Sequence, residues 1–475
     1  MNVFTQEGIG LKDTDIFIHL FKTLHSYYFY DVNKNAIVKI NESIYESLDK
    51  GENRYEDANI KKLKERGFLD EIEKPVEILH PLTDKIDSYL QNNLSLLILQ
   101  ITQNCNLRCK YCIYSGSYTN RVHTNKRMSF ETVQKAVDFY YEHSKNTEIA
   151  SISFYGGEPL LEFQLIKDTV NYCRKKFNGK QLNFNMTTNA TLFTPEIMDF
   201  LAKNKINLTI SLDGPQKIHD QGRVFADNKK GTFKKIIKNL EEFQHRYPDY
   251  VDTISFNAVF DEGNNFKDSS DFFSFEFFKK ATVTFTTVSN RDSKEARDIQ
   301  EEFTIHYKYE LFKMFLHCLK RLEKEDVSKL MFVHMNRLKN SVHEHLRKPF
   351  LFEGKTHPSG PCVPGMNRLF VTVDGEFFPC ERVSEKNTVF NIGNLEKGFE
   401  KEKVKELLNI GRYTKKQCSL CWAMGYCDSC MADMGDGDKL IANKRLERCA
   451  SIRYTTDELM KEYCVLRENG YNFES

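Results

Sequence analysis

Thirteen cysteines stand in this chain of 475 residues, and ten of them are spaced as metal ligands would be. Cys105, Cys109 and Cys112 lie within eight residues, in ThrGlnAsnCysAsnLeuArgCysLysTyrCys. Iron–sulfur clusters are held by Cys thiolates, and such a loop can wrap one cubane while leaving its fourth iron without a protein ligand. An open iron is useful only where a substrate or cofactor binds it. Zinc is the alternative reading, but structural zinc closes its fourth position with a nearby Cys or His, and the nearest candidate is His123. Seven more cysteines fall in the 88 residues from Cys362 to Cys449: Cys362, Cys380, Cys418, Cys421, Cys427, Cys430 and Cys449. Two CxxC pairs alone could make a zinc ribbon. Cys173 and Cys318 sit on predicted helices and read as core packing, since free Cys is among the most buried residue types. Cys464, near the C-terminus, could still reach a cluster.

Other polar motifs follow the triplet. Gly156, Gly157, Glu158 and Pro159 close a predicted strand; two glycines free backbone amides, and with one carboxylate they suit an ammonium ligand. Ser211 and Asp213 lie in SerLeuAspGly at the end of another strand, and Arg223 comes twelve residues after Ser211. The arginine fork is the natural partner of a carboxylate. Each alone is as readily a turn or a solvated loop; in order after one triplet they reinforce each other.

The triplet resembles the CxxxCxΦC signature of the radical S-adenosylmethionine (SAM) superfamily, with Tyr111 as the aromatic Φ. The resemblance covers roughly residues 94 to 310. It implies a [4Fe-4S] cluster on Cys105, Cys109 and Cys112 with SAM at its open iron. Gly156, Gly157 and Glu158 would hold the amino group of SAM, and Ser211, Asp213 and Arg223 would contact its ribose and carboxylate. The second array resembles the SPASM domain, Cx(9 to 15)GxxxxC, a gap, CxxCx(5)CxxxC, a gap and C, which binds two auxiliary [4Fe-4S] clusters. Here two residues, not three, separate Cys427 from Cys430. The family's pairing implies that Cys418, Cys421, Cys427 and Cys449 close one cluster, while Cys362, Cys380 and Cys430 give three ligands to the other. Some relatives add a fourth ligand between the first two cysteines; this sequence has none there. The resemblance therefore implies an open auxiliary iron able to take a substrate thiolate, since a metal deprotonates a coordinating thiol. Glu381 follows Cys380 where sulfatase-maturing relatives place an acidic base, and is the candidate catalytic residue; a solvated carboxylate is the plain alternative.

These residues need elements to position them. Strands are predicted at 94–102, 149–155, 182–187, 206–212, 253–260 and 282–288, with amphipathic helices between, such as 129–144 and 232–244. Strands alternating with helices make a parallel sheet. Six units are too few for a closed eight-unit barrel, so the fold class is α/β, a partial (β/α)6 TIM barrel with chemistry at the C-terminal strand ends. Residues 300 to 325 read as a long helix leading out. Residues 1–90 hold strands at 27–32 and 36–40, helices capped by Asn41 and Asp57, and Gly67 at a helix end. That order suits a winged helix-turn-helix and resembles the peptide-recognition element of ribosomal peptide maturases, which adds a leader strand to its sheet edge; a mere structural extension is the alternative. The expected division is 1–90 peptide recognition, 94–310 radical SAM barrel, 311–361 helical bridge and 362–475 SPASM.

Composition narrows the class. Sixty-eight Lys and Arg balance 67 Asp and Glu, leaving +1, so no field steers the chain toward nucleic acid or an anionic membrane. The first ten residues do not read as a signal peptide, and the best apolar run, 94–101, is interrupted by Ser95 and Gln100. A cytoplasmic, reducing compartment is expected, where thirteen cysteines serve metal or redox chemistry better than disulfides. Taken together the chain resembles the clostridial-type maturases of Cys-rich peptides, of ranthipeptide or sactipeptide kind. That implies hydrogen abstraction from a ribosomally made precursor, thioether formation from a Cys sulfur, and a flavodoxin or ferredoxin as electron donor. A formylglycine-forming sulfatase-maturing enzyme and a non-catalytic iron–sulfur electron carrier are the other readings. The carrier would have no use for the GlyGlyGluPro element, Ser211 or Arg223.

Overall fold

The computed structural model describes residues 16–50, 57–70, 77–115, 117–119, 121–260, 266–288, 290–291, 293–294, 301–348, 354–358 and 362–474. The first ten residues, read above for targeting, lie outside that set.

Strands Ile18–Lys22 (β1), Tyr27–Asp31 (β2) and Ala36–Ile40 (β3) form an antiparallel sheet with β2 in the middle. The sequence reading contains β2 and β3 but not β1. The turn between β2 and β3 is tied down by Asp31, whose carboxylate accepts from Lys34 N and Leu69 N at 2.9 Å each. Helices Glu42–Lys50 (α1) and Ala58–Glu65 (α2) follow. Asn41 Oδ1 accepts from Ile44 N at 2.8 Å, and Asp57 caps α2 through Asn59 N and Ile60 N, each supplying an acceptor for otherwise orphaned helix amides. One face of the sheet packs on α1 and α2 through Phe29, Ile44, Leu48 and Ile60. The other presents Phe17, Phe21, Tyr28 and Tyr30 to Met460 and Cys464 of the helix Cys449–Glu468. His19 stacks on Trp422 with ring centroids 3.6 Å apart, and its Nε2 lies 2.8 Å from Asp457 Oδ1. Cys464 is thus a packing residue in this seam.

The main sheet begins with six parallel strands in chain order: Leu96–Thr102 (β4), Ile149–Gly156 (β5), Gln181–Thr188 (β6), Asn207–Ser211 (β7), Ser255–Phe260 (β8) and Thr282–Thr287 (β9). Each coincides with an expected strand to within two residues at either end, because apolar runs bounded by turns are strong signals. The connecting helices are capped as their sequences demand: Ser129 accepts from Thr132 N before Phe130–His143, and Thr194 from Ile197 N, with Pro195 in the first turn. Cys173 is buried in the core on the helix Phe163–Lys176. The expected helix over 300–325 is observed as Glu301–Cys318. None of the described helices is long and apolar enough to cross a membrane.

Six strands do not complete the sheet. Leu369–Val371 (β10) pairs parallel to β4 on its far side, and Glu376–Phe378 (β11), Gly393–Asn394 (β12) and Gly398–Phe399 (β13) continue it antiparallel to ten strands. The cysteine-rich region is therefore grafted onto the first strand of the barrel.

Candidate active site

The triplet loop leaves β4 and is stitched to its neighbours by backbone bonds. Gly157 N donates to Thr102 O and Glu158 N to Asn104 O, both at 2.9 Å. Gly156 has φ 136°, open only to glycine without strain, and a methyl on Gly157 would lie 1.9 Å from Asn104 O. On the other side Arg108 N reaches Val224 O, Lys110 N reaches Gly222 O, and Ala226 N reaches Asn106 O. The loops after β4, β5 and β7 are thus one unit.

The backbone N–H groups of Gly157 and Glu158 are taken up by the triplet loop. What the glycines supply is close approach of two backbones. The Glu158 carboxylate is buried and accepts from Leu160 N, Thr188 Oγ1 and Asn189 N at 3.1, 2.8 and 2.8 Å. Burial raises its pKa to about 7 against these three donors.

The three thiols lie close enough that Cys109 and Cys112 both raise the pKa of Cys105, and Cys112 that of Cys109. Burial is the larger cause and pushes Cys109 up to about 12. Donors face the sulfurs: Leu107 N is 3.3 Å from Cys105 Sγ, Tyr114 N is 3.4 Å from Cys112 Sγ, and Arg223 Nη1 is 3.9 Å from Cys109 Sγ. Asp213 and Arg223 meet in a buried fork, with Nε to Oδ2 at 2.9 Å and Nη2 to Oδ1 at 3.2 Å. Val259 N and the Tyr111 hydroxyl also donate to Asp213, and the Arg223 guanidinium lies over the Tyr111 ring. Ser211 ends β7 two residues before Asp213. Sequence reasoning missed His219, whose Nδ1 accepts from Asp213 N at 3.4 Å while its Nε2 bonds Thr232 Oγ1 at 2.9 Å. Burial holds its pKa down near 4, so it is neutral.

The seven later cysteines gather into two sets. Cys430 raises the pKa of Cys380, and Cys362 that of Cys430. Cys449 acts on Cys418, Cys418 and Cys427 on Cys421, and Cys427 on Cys449. Cys418, Cys421, Cys427 and Cys449 also line one cavity of about 720 Å³ whose opposite wall is β1. Near Cys430, Asp433 accepts from Cys430 N at 3.0 Å and is paired with Arg291 and Arg448. Glu381 lies beside Cys380, its oxygens 3.3 and 3.4 Å from Arg368 Nη1.

Arg121, also missed, joins the first set to the second. It is buried, donates to Glu381 O at 2.7 Å and Val383 O at 2.9 Å, and lies 2.7 Å from Glu385 Oε1. Gln100 on β4 donates to the same Glu385 oxygen and to the Tyr114 hydroxyl, both at 2.9 Å. One guanidinium thus ties the loop after Cys112 to the loop after Cys380.

Residues 99–274, which hold the triplet, the glycine pair and the Asp213–Arg223 fork, match the model of the radical SAM superfamily. This chain carries a radical SAM domain. The chain is 33% identical over 153 residues to a cysteine-type anaerobic sulfatase-maturating enzyme of Clostridium novyi (strain NT), a match spanning 31% of this chain and 40% of that protein. It is 27% identical over 359 residues to the enzyme of the same name from Clostridium perfringens (strain 13 / Type A), spanning 73% of this chain and 91% of that one. Among solved structures, native anSMEcpe with bound AdoMet superposes with a TM-score of 0.56 at 21% identity, over 77% of this chain and 98% of that chain. That likeness concerns the fold.

A radical SAM domain implies a [4Fe-4S] cluster and SAM, and the donor set fits. Among the described residues no three His, Cys, Asp or Glu side chains converge on a point that one metal ion could fill. A cubane takes each thiolate on a different iron, so its ligands stand apart around a larger body. Cys105, Cys109 and Cys112 would hold it, with amide and guanidinium donors placed to stabilise thiolate charge.

Proposed function

We propose that this protein is a radical SAM maturase that acts on a ribosomally made, Cys-rich precursor peptide and joins a Cys sulfur to a neighbouring carbon as a thioether. The reading rests chiefly on one observation: ten cysteines gather in sets of three, three and four. It assigns three [4Fe-4S] clusters, one binding SAM at Cys105, Cys109 and Cys112, and auxiliary ones at Cys362, Cys380 and Cys430 and at Cys418, Cys421, Cys427 and Cys449. Bound SAM and its cluster supply a hydrogen-abstracting radical when one electron arrives. The chain's own residues do the rest. Tyr111, Asp213 and Arg223 form the wall beside Cys109, and the Gly156–Glu158 segment fixes the triplet loop. The three-thiol auxiliary set leaves a position for the substrate thiolate, beside Glu381 as the base that takes its proton. Joining sulfur to carbon removes one hydrogen atom, one proton and one electron, and a cluster held by Cys362, Cys380 and Cys430 would supply the acceptor for that electron. Residues 1–90 would recognise the leader, and among the described residues β3 stands at an edge of its three-stranded sheet. The remaining boundaries are 94–310 for the barrel, 311–361 for a bridge and 362–475 for the auxiliary domain. A cytoplasmic location and a flavodoxin or ferredoxin donor complete the proposal.

The names of the clostridial relatives favour a second reading, oxidation of a sulfatase Cys or Ser to formylglycine. Product mass separates the two: a thioether loses two hydrogens and keeps its sulfur, whereas formylglycine made from Cys loses the sulfur. The experiment that tests the core claim is an anaerobic iron and sulfide count with a SAM-cleavage assay, wild type beside the Cys105, Cys109, Cys112 triple Ala variant. About twelve irons falling to about eight, with cleavage lost, is expected, because each cubane carries four. Zinc in place of iron, or cleavage surviving in the variant, refutes it.

A further inference from the structure

Resting on the three-cluster reading above, we infer that the ligand loop of the Cys418 set is the docking surface for an acidic one-electron carrier protein. From residue 407 to residue 427 the chain has Arg412, Lys415 and Lys416 and no Asp or Glu, in a protein whose charges as a whole sum to only +1. All three are exposed. The single helical turn Lys415–Cys418 points its lysines to solvent while burying Cys418. Between Cys418 and Cys421, Leu420 is 38% exposed, and Tyr413 and Tyr454 are exposed at 45% and 60%. Arg453, next to Tyr454, acts electrostatically on both Cys421 and Cys449. A basic rim around apolar and aromatic groups is the composition of a transient protein interface, and it selects a partner of opposite charge.

Its place decides what kind of partner. The exposed segment is the ligand loop itself: Leu420 is bonded directly to Cys421, so a redox centre seated there is separated from the set by a few bonds. The inner face of the same set looks into the cavity it shares with β1 and Trp422, and the exposed rim is its outward side. The exchange would oxidise the carrier by one electron and reduce by one the cluster that Cys418, Cys421, Cys427 and Cys449 would hold, with no bond formed or broken.

The test uses the reconstituted holoprotein, wild type beside K415E/K416E, with two reductants: dithionite and a chemically reduced flavodoxin. Dithionite-driven SAM cleavage and iron content are expected to be unchanged. Flavodoxin-driven cleavage is expected to fall at least about tenfold at low salt, as is direct binding measured by flavin fluorescence, since rim charges set encounter rates. Should K415E/K416E lose iron, K415Q/K416Q serves under the same criteria with a smaller loss. Unchanged flavodoxin binding and rate, or charge-dependent binding of a single-stranded RNA in their place, overturns the docking surface. Absence of dithionite-driven cleavage in wild type instead overturns the reading on which it rests.

Discussion

Replacing Gly157 with Ala tests the stitching of the triplet loop directly. The added methyl would lie 1.9 Å from Asn104 O and 3.1 Å from Cys105 Cβ, whereas ordinary contact begins near 3.4 Å. The obstacle is backbone, so nothing flexible can swing aside; the two chains must part by about 1.5 Å, with van der Waals contact as the limit. Parting breaks the bonds from Gly157 N to Thr102 O and from Glu158 N to Asn104 O. At about 1 kcal/mol each, and more where a buried group stays unpaired, the loss is on the order of 3–5 kcal/mol. A domain this size tolerates that, but a ligand loop held by those bonds does not. The assay is iron and sulfide per chain after anaerobic reconstitution, with 5′-deoxyadenosine formation. About four irons lost and cleavage abolished, with the remaining irons kept, is the expected result. Gly179→Ala is the control: its φ of 84° is strained for Ala but nothing lies within 4 Å, so it keeps its iron. Full iron and cleavage within twofold of wild type in Gly157→Ala would refute the packing argument.

Three further outcomes follow from the same geometry. Glu381→Gln should slow product formation more than SAM cleavage, by about 10²-fold or more if it is the base; equal slowing of both, or none, rejects that role. Arg121→Met leaves Glu385 without its buried partner and frees the loop after Cys380. A stability loss of about 3–5 kcal/mol is expected in chemical denaturation, and a loss below about 1 kcal/mol would mean the tie is not carrying load. His219 gives a pH dependence. Its pKa falls from 6.5 to about 4 on folding, so its contribution is present above pH 6.5 and is lost as pH falls toward 4. Between pH 7.5 and 5.5 it accounts for about 1.4 kcal/mol of lost stability, a slope that His219→Asn should remove. An unchanged slope in denaturant melts would show that His219 protonates in place.

The grouping of the cysteines and the six strands were legible because both depend on local order: thiol spacing for one, apolar runs between turns for the other. Residues fixed by distant partners were not. Arg121 stands alone in a loop, and its carbonyl and carboxylate partners lie more than 250 residues away. His219 reads as a surface histidine on a short helix until Thr232 and Asp213 close around it. β1 was missed because IleHisLeuPheLys carries two polar residues in five and earns its place from pairing with β2 and packing on Trp422 and Met460. β10 has three residues, too short for any periodicity. Gly157 and Glu158 add what residue type alone does not tell: their backbone N–H groups hold the triplet loop, and the Glu158 carboxylate holds Leu160, Thr188 and Asn189.

The seam between the N-terminal sheet and the helix Cys449–Glu468 also sets an order of events in time. Phe17, Phe21, Tyr28 and Tyr30 are synthesised more than 400 residues before Met460 and Cys464, which pack on them. At about 5–20 residues per second, roughly 20 to 90 seconds separate the two. Over that interval the growing chain bears an aromatic face that lacks the cover of this helix. The sheet can seat fully only after Cys449–Glu468 has been made, so a nascent chain that stops short of that helix would be marked by the uncovered part of that face.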